Sequence, residues 1–166
     1  YQRSVSCKVK GSANRKKAVG RLTNLHRRIA NQRSDWLHKL TTHLASKHPV
    51  IALEDLKIKN MSASAKVTLE SPGKQVRQKA GLNRGILDAA WGEFRRQLDY
   101  KLQWRGGHLV LVDPAYTSRT CRVCGHEAAE NRKTQSVFAC VACGHTENAD
   151  VHAAKNILAR ALAQSE

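Results

Sequence analysis

The segment Val50-Ile51-Ala52-Leu53-Glu54-Asp55 is a short, almost wholly apolar run that ends in two carboxylates. Four apolar residues in succession are typical of a buried central strand rather than a strand with one face in water. A second run, from His108 to Asp113, is also mostly apolar. It is followed by Pro114, which has no backbone N–H to donate to a neighbouring strand. These runs predict strands of a mixed sheet that is covered by helices.

The residues around the two runs predict the covering helices. Apolar residues recur at steps of three, four and seven between residues 12 and 47, which predicts one long amphipathic helix, or two in line, stopped by His48-Pro49. We expect Asn83 to cap a second helix that runs to Leu102 and ends at Gly106-Gly107. A last helix is predicted from about residue 149 to 162. The fold class is therefore α/β, or α+β.

The remaining segments predict loops. Residues 1–11 show no clear period and are expected to form a loop or frayed start. Residues 57–82 are rich in Lys, Ser, Gly and Asn, with a turn at Ser71-Pro72-Gly73, and are predicted to be a mobile connection or lid.

The charge of the chain indicates a polyanionic partner. The sequence has 29 Lys and Arg against 13 Asp and Glu, for a net charge of +16. Residues 1–50 contain six Lys and six Arg but a single acid, Asp35, so a solvated helix face is the weaker interpretation. The residues that we expect to contact nucleic acid on the first long helix are Arg15, Lys16, Lys17, Arg21, Arg27, Arg28 and Arg33.

The sequence carries no indication of a membrane or of secretion. Its longest apolar runs are far shorter than the roughly 20 residues that a spanning helix needs. No charged start is followed by an apolar segment of the secretory kind, so we expect a cytoplasmic protein that associates with the nucleoid.

Four cysteines predict a zinc site. Cys121-x-x-Cys124 and Cys140-x-x-Cys143 are separated by fifteen residues, which is the spacing of a four-cysteine zinc ribbon. A Gly-His pair follows each motif, and glycine permits the positive φ that such a turn needs. Four thiolates leave no open position, so the zinc is predicted to be structural. The alternative for a single Cys-x-x-Cys motif is a redox pair. We expect His126 and His145 to lie outside the ligand shell or in solvent, although either could replace a cysteine ligand, and we expect Cys7 to be a free thiol.

Acids at the ends of predicted elements suggest a second type of metal site. The candidates are Glu54, Asp55, Asp113, Glu147 and Asp150. Each one alone is ordinarily a turn or capping residue. In a basic protein with a zinc ribbon, however, they fit a phosphodiester-cleaving site in which carboxylates hold two Mg²⁺ ions.

Four segments resemble the OrfB/TnpB family of insertion-sequence proteins. The first is residues 51–61, and the second is Gly81 to Arg84 together with Trp91-Gly92-Glu93-Phe94. The third is Tyr116 to Cys121 together with the two Cys-x-x-Cys motifs, and the fourth is Asn148 to Ile157. The resemblance implies an RNase H-like RuvC nuclease fold with long helices, interrupted by the zinc ribbon and related to type V CRISPR effectors. On this basis residues 1–115 and 148–166 would form the nuclease core, and residues 116–147 the ribbon insert.

The same resemblance implies an RNA-guided DNA endonuclease that uses Mg²⁺. Glu54 matches the second catalytic carboxylate and Asp150 the third, both as Mg²⁺ ligands. The four cysteines match the ligands of Zn²⁺, and DNA and a guide RNA are the expected partners. The first catalytic Asp of the family lies on an N-terminal strand, but the only acid before Glu54 is Asp35, inside a predicted helix. We therefore expect a truncated, C-terminal portion that does not cut DNA alone.

Two other functions remain open from the sequence. One is a non-catalytic DNA- or RNA-binding zinc-ribbon protein, which would need the basic helix and the ribbon only. The other is a zinc-stabilised ribosomal or transcription-related protein, which gives no reason for Glu54 and Asp150.

Overall fold

The computed structural model describes residues 1–65 and 73–164. The chain forms two compact units, Tyr1–Leu44 and Ala45–Glu166. Ser71 and Pro72 of the predicted turn lie outside the described residues. No helix of the described part is both long enough and apolar enough to cross a membrane.

The first unit is helical. A short helix α1 (Gln2–Ser6) and the 35-residue helix α2 (Ala13–Lys47) are joined by a turn in which Gly11 has a φ of +85°. The long predicted helix is thus confirmed, but the loop predicted for residues 1–11 is wrong at α1. One turn forms there because backbone N–H groups donate to the carbonyls of Tyr1 and Arg3, a local bond pattern without an apolar period.

The second unit contains a two-stranded parallel sheet. Strand β1 (Val50–Glu54) pairs with β2 (His108–Val112), and Glu54 is opposite Val112 in the register. The positions of both predicted strands are therefore confirmed. The prediction of a buried central strand is wrong for β1, because β1 is only partly buried and pairs with β2 alone among the described residues. Parallel strands need a long crossover, which here consists of the helices between them.

Three helices form that crossover, namely α3 (Ile58–Met61), α4 (Val76–Asp88) and α5 (Trp91–Gln103). The single helix predicted from Asn83 to Leu102 is wrong, because Ala90 adopts a left-handed φ of 54° and separates α4 from α5. Asn83 lies inside α4 and donates to the carbonyls of Ser62 and Ala63 at 2.8 and 3.1 Å. The predicted mobile connection is likewise helical at α3 and at the start of α4.

Helix α5 ends as the glycines predict. Gly107 donates to the carbonyl of Leu102 at 2.9 Å, and Gly106 has a φ of +73° that L side chains rarely adopt. Helix α5 packs on β2, and Leu98, Leu102 and Val112 are fully buried. Each buried leucine contributes roughly 1.5–3 kcal/mol of hydrophobic free energy, which fixes the helix on the sheet.

The cysteine-containing segment has little regular structure. It holds one 3₁₀ turn (Ala129–Asn131) and an antiparallel pair, β3 (Val137–Ala139) with β4 (Thr146–Asn148). Helix α6 (Ala149–Ala163) follows β4 without a linker and packs on both β1 and β2. Its predicted position is confirmed.

Candidate functional site

The two Cys-x-x-Cys motifs fold into knuckles with the same backbone construction. In the first, the N–H of Cys121 donates to the carbonyl of His126 at 2.9 Å, and in the second Cys140 donates to His145 at 2.9 Å. Gly125 and Gly144 have φ values of 73° and 74°. The positive φ predicted for both glycines is confirmed.

The four cysteine sulfurs converge on one point. All four Sγ atoms lie within 4.8 Å of one another, with 3.7 Å between Cys121 and Cys143 and 3.6 Å between Cys124 and Cys140. A tetrahedron of sulfurs with Zn–S bonds of about 2.3 Å has edges of about 3.8 Å, whereas a disulfide needs about 2.05 Å. The cluster is therefore compatible with zinc and does not have the geometry of a disulfide.

Two thiols of this cluster, Cys140 and Cys143, have pKa values shifted in opposite directions. The backbone N–H of Cys143 is the main cause that lowers the pKa of Cys140 to about 6. The backbone N–H of His145 lowers the pKa of Cys143, but the hydrogen bond with Cys124, desolvation and the bonds with Cys140 and Cys121 together raise it to about 12. Ionisation of one thiol therefore disfavours ionisation of its neighbour. A divalent metal ion would favour the thiolate form of both.

Asn131 organises the backbone between the knuckles. Its buried side chain donates to the carbonyls of Arg119 and His126 at 2.8 and 3.1 Å and accepts from the N–H of Val141 at 3.0 Å. The amide thereby joins the first knuckle to the second.

Replacing Asn131 with alanine is expected to lower the free energy of unfolding by about 1–3 kcal/mol, because the part-buried carbonyl of Arg119 and N–H of Val141 lose the Asn131 amide as their partner and the carbonyl of His126 keeps only its bond from Cys121. Urea unfolding of the whole zinc-loaded chain measures this loss. Asn31 is exposed on α2, and its replacement by alanine serves as the control with an expected change within about 0.5 kcal/mol. Equal stability of the two variants would contradict the assigned role.

Glu54 ends β1 and faces a cleft. The cleft has a volume of about 340 Å³ and is lined by Glu54, by Trp91 and Phe94 of α5, and by Ala154 and Ile157 of α6. Its wall is mainly apolar apart from Glu54 and Arg95, and the guanidinium of Arg95 pairs with Asp55 at 2.7 Å.

A buried polar chain holds Glu54. The hydroxyl of Thr117 lies 3.0 Å from Glu54 Oε1, and Thr117 is 2% exposed. The side chain of Asn156 on α6 donates to the carbonyls of Thr117 and Thr120, both at 2.8 Å. The segment that leads into the first knuckle is thus bonded to α6 on one side and to Glu54 on the other.

Asp150 lies in the first turn of α6. Its N–H is capped by the side chain of Asn148, and its own carboxylate is 83% exposed and 3.7 Å from Arg132. Residues four and seven positions apart share one helix face, so Asp150 is on the same face as Ala154 and Ile157, which line the cleft.

The other three acids considered from the sequence have close partners of their own. Asp55 bonds to Lys57 and to Arg95, which lower its pKa, Lys57 most strongly. Asp113 accepts from the backbone of Ala115 at 3.0 Å.

Glu147 bonds chiefly to Lys155, which lowers its pKa despite partial burial, and also to His152.

Within residues 1–65 and 73–164, two groups of at least three His, Cys, Asp or Glu side chains have ligand atoms within 4.8 Å, and neither contains Glu54 or Asp150.

The predicted basic contacts all lie on α2. Lys17 and Arg21 line a concave surface with Tyr1, Ser4 and Lys8 of the same unit, with a volume of about 480 Å³. Lys39 pairs with Asp35, the acid of this helix, at 2.6 Å. The remaining predicted contacts on this helix are Arg15, Lys16, Arg27, Arg28 and Arg33.

Several site residues were missed by the sequence analysis. Thr117, Asn131 and Asn156 act through bonds to backbone atoms that are 3 to 39 residues away, and polar residues of this kind have no periodicity. His152 was also missed, because a histidine inside a helix pattern is ordinarily a surface or core residue.

Two family models match the chain. The model described as "Probable transposase" (OrfB_IS605) matches residues 1–65, which include Glu54, and the model "Cas12f1-like, TNB domain" matches residues 91–157, which include the four cysteines and Asp150. A protein of Escherichia coli K12 named "Putative RNA-guided DNA endonuclease InsQ" is 55% identical over 158 residues, 95% of this chain. The chain belongs to the OrfB/TnpB family.

A second member of the family, from Streptomyces pristinaespiralis and also named "Putative RNA-guided DNA endonuclease", is 39% identical over 165 residues, 99% of this chain. The chain spans 39% of the length of the E. coli relative and 37% of the Streptomyces relative. The similarity therefore covers a part of each.

A solved structure has the same fold. The structure of CasPhi-2 (Cas12j) bound to crRNA and phosphorothioate-DNA matches 95% of this chain and 23% of its own chain, with a TM-score of 0.56 and 21% identity. At this identity the match concerns the fold alone. It confirms the mixed α/β class with long helices.

Proposed function

We propose that these residues are part of an insertion-sequence-encoded, RNA-guided DNA endonuclease with a Mg²⁺-dependent RuvC-like site. Glu54 and Asp150 provide two of the carboxylates, and the third comes from a part of the protein outside these 166 residues. Asp35 is unsuited to that role because it is exposed on α2 and paired with Lys39.

One observation carries the proposal: Glu54 stands at the carboxyl end of a parallel strand, on a cleft whose other wall is the helix that begins beside Asp150. Ligand sites of open α/β sheets lie outside the carboxyl ends of the strands. Thr117 orients Glu54, whereas Asp150 is exposed and can turn toward a phosphate–metal assembly. Bound Mg²⁺ would supply charge stabilisation for the attacking and leaving oxygens of a phosphodiester.

The ribbon serves this site as a scaffold in the same proposal. We propose that Cys121, Cys124, Cys140 and Cys143 bind one structural zinc ion, which fixes both knuckles. The ribbon contains Thr117 near its start and ends directly before Asn148, the cap of α6. Its folding therefore sets the position of Glu54 through the Thr117 hydroxyl and that of Asp150 through Asn148.

The test is cleavage by a full-length protein in which these residues replace the matching part of the E. coli relative. Cleavage of guide-matched DNA that requires both Mg²⁺ and the guide RNA is the expected result. Guide-dependent binding without cleavage would support a second function, a non-catalytic nucleic-acid-binding zinc protein. The separation of Glu54 and Asp150 into different side-chain environments favours that second function.

Binding to nucleic acid should depend steeply on salt. If the chain, including α2, makes about six to ten phosphate contacts, its affinity for nucleic acid should fall by roughly a thousandfold or more between about 50 and 200 mM salt. Replacing Arg21, Arg27 and Arg28 with glutamine should reduce the slope of log K against log salt by about 3, since each contact contributes about 0.9. Fluorescence anisotropy with labelled DNA and RNA measures both effects.

The control for this experiment is Lys39→Gln on the same helix. Lys39 is already neutralised by Asp35, so its replacement should leave the slope nearly unchanged. A triple variant with the slope of the unmodified chain would remove α2 from the nucleic-acid interface.

A further inference from the structure

A second group of potential metal ligands lies directly after the second knuckle. One ring nitrogen each of His145 and His152 and one carboxylate oxygen of Glu147 lie within 4.8 Å of one another. His152 Nδ1 is 3.3 Å and His145 Nε2 is 3.7 Å from the same atom, Glu147 Oε2. In a tetrahedral site with zinc bonds of about 2.0–2.1 Å, neighbouring ligand atoms are about 3.3–3.4 Å apart. The group is thus close to the spacing of a zinc site.

The orientation of His152 leaves the correct nitrogen available. Its Nε2 is 3.0 Å from the carbonyl of Thr120, which can only accept, so Nε2 carries the proton. The ring is fully buried and stacked on Phe138 with 3.7 Å between the centroids, which prevents it from rotating. Metal-binding histidines almost always donate their second N–H to a carbonyl or carboxylate in this way.

His145 supplies an observation that a simple polar cluster does not explain. Its Nε2 is shielded from solvent and has no hydrogen-bond partner within the described ranges. A network of His152, Glu147 and Lys155 would join α6 to the ribbon, yet it would leave this nitrogen 3.7 Å from Glu147 Oε2, which is beyond hydrogen-bond distance. A metal bond would satisfy it, with Lys155 remaining on Glu147 Oε1.

We propose that His145 Nε2, Glu147 Oε2 and His152 Nδ1 form a second zinc site, separate from the four cysteines. Two imidazoles and one carboxylate are a ligand set that zinc accepts, and they leave the fourth position open for water or another ligand. This site does not depend on nuclease activity, and it lies in the segment that links the ribbon to α6.

The experiment counts zinc in the whole chain. The whole chain is saturated with Zn²⁺ and separated from excess metal, and its zinc content is measured by elemental mass spectrometry. The unmodified chain is expected to hold two zinc ions. His145→Ala and Glu147→Gln are expected to hold one. His126→Ala is the matched control, because His126 follows the first knuckle as His145 follows the second, and it should still hold two.

Two further measurements separate loss of the site from loss of the fold. With Co²⁺ in place of zinc, the thiolate-to-metal charge-transfer band of the four cysteines should be the same in unmodified chain and in Glu147→Gln. In the NMR spectrum of the unmodified chain, the second equivalent of zinc should shift the imidazole signals of His145 and His152 but not those of His126. One ion in the unmodified chain, two ions in His145→Ala, or imidazole signals that do not move would each overturn the proposal.

Discussion

Cys140→Ser should unfold the ribbon, residues 116–147, and this is the largest stability effect that we expect. The segment has two three-residue strands and a small core, so we expect its folding to depend on the proposed zinc ion. Structural zinc contributes apparent binding free energies of about 10–16 kcal/mol near neutral pH, and loss of one thiolate removes most of this. Circular dichroism and NMR of the zinc-loaded chain, with and without a chelator, measure the unfolding.

Cys7→Ser is the matched control, because Cys7 is exposed and is not one of the four clustered cysteines. It should retain both fold and zinc. Zinc affinity should also weaken as the pH falls, since thiols must lose protons to bind the metal and protons compete for them. A Cys140→Ser chain with an unchanged NMR spectrum would show that zinc does not hold this segment.

The second large effect concerns cleavage. Glu54→Gln and Asp150→Asn, made in the full-length chimaera, should each reduce Mg²⁺-dependent cleavage by roughly a thousandfold or more, because each removes a charged oxygen ligand worth several kcal/mol. Guide-dependent DNA binding should be retained, since glutamine keeps the shape of Glu54 and an acceptor for Thr117. Gel assays of cleavage and of binding measure the two properties separately.

Asp35→Asn is the control for the carboxylates, as the side chain is exposed and distant in sequence from both. It should cut at the normal rate. Normal cutting by either the Glu54 or the Asp150 variant would mean that the carboxylates are misassigned.

Much of the fold could be predicted from local patterns. Val50–Glu54 and His108–Val112 were recognised because continuous apolar runs next to proline are typical of buried strands. The knuckles were recognised from spacing and from Gly125 and Gly144, since a turn that needs a positive φ strongly selects glycine.

The failures have physical causes as well. The break at Ala90 was missed because alanine is the best helix former, so a left-handed alanine depends on tertiary packing rather than on local preference. Asn83 looked like a cap because asparagine favours caps, but its amide is used on the carbonyls of Ser62 and Ala63 instead. Contacts of this kind depend on a distant segment and have no local pattern.

The residues proposed as metal ligands could be predicted from the sequence. The residues that hydrogen-bond around them could not. Glu54, Asp150 and the cysteines followed from residue chemistry and resemblance. Thr117 and Asn156 did not, because they are defined by which backbone carbonyl lies opposite them in three dimensions.

The direct junction of β4 with α6 restricts how this protein can change over evolution. A helix turns by about 100° per residue, so one residue inserted between Asn148 and Asp150 would turn the face that carries Asp150, Ala154 and Ile157 by about 100° relative to β4. Length variation among relatives should therefore be found in loops such as residues 132–136, and be absent from the stretch between the last cysteine and Asp150.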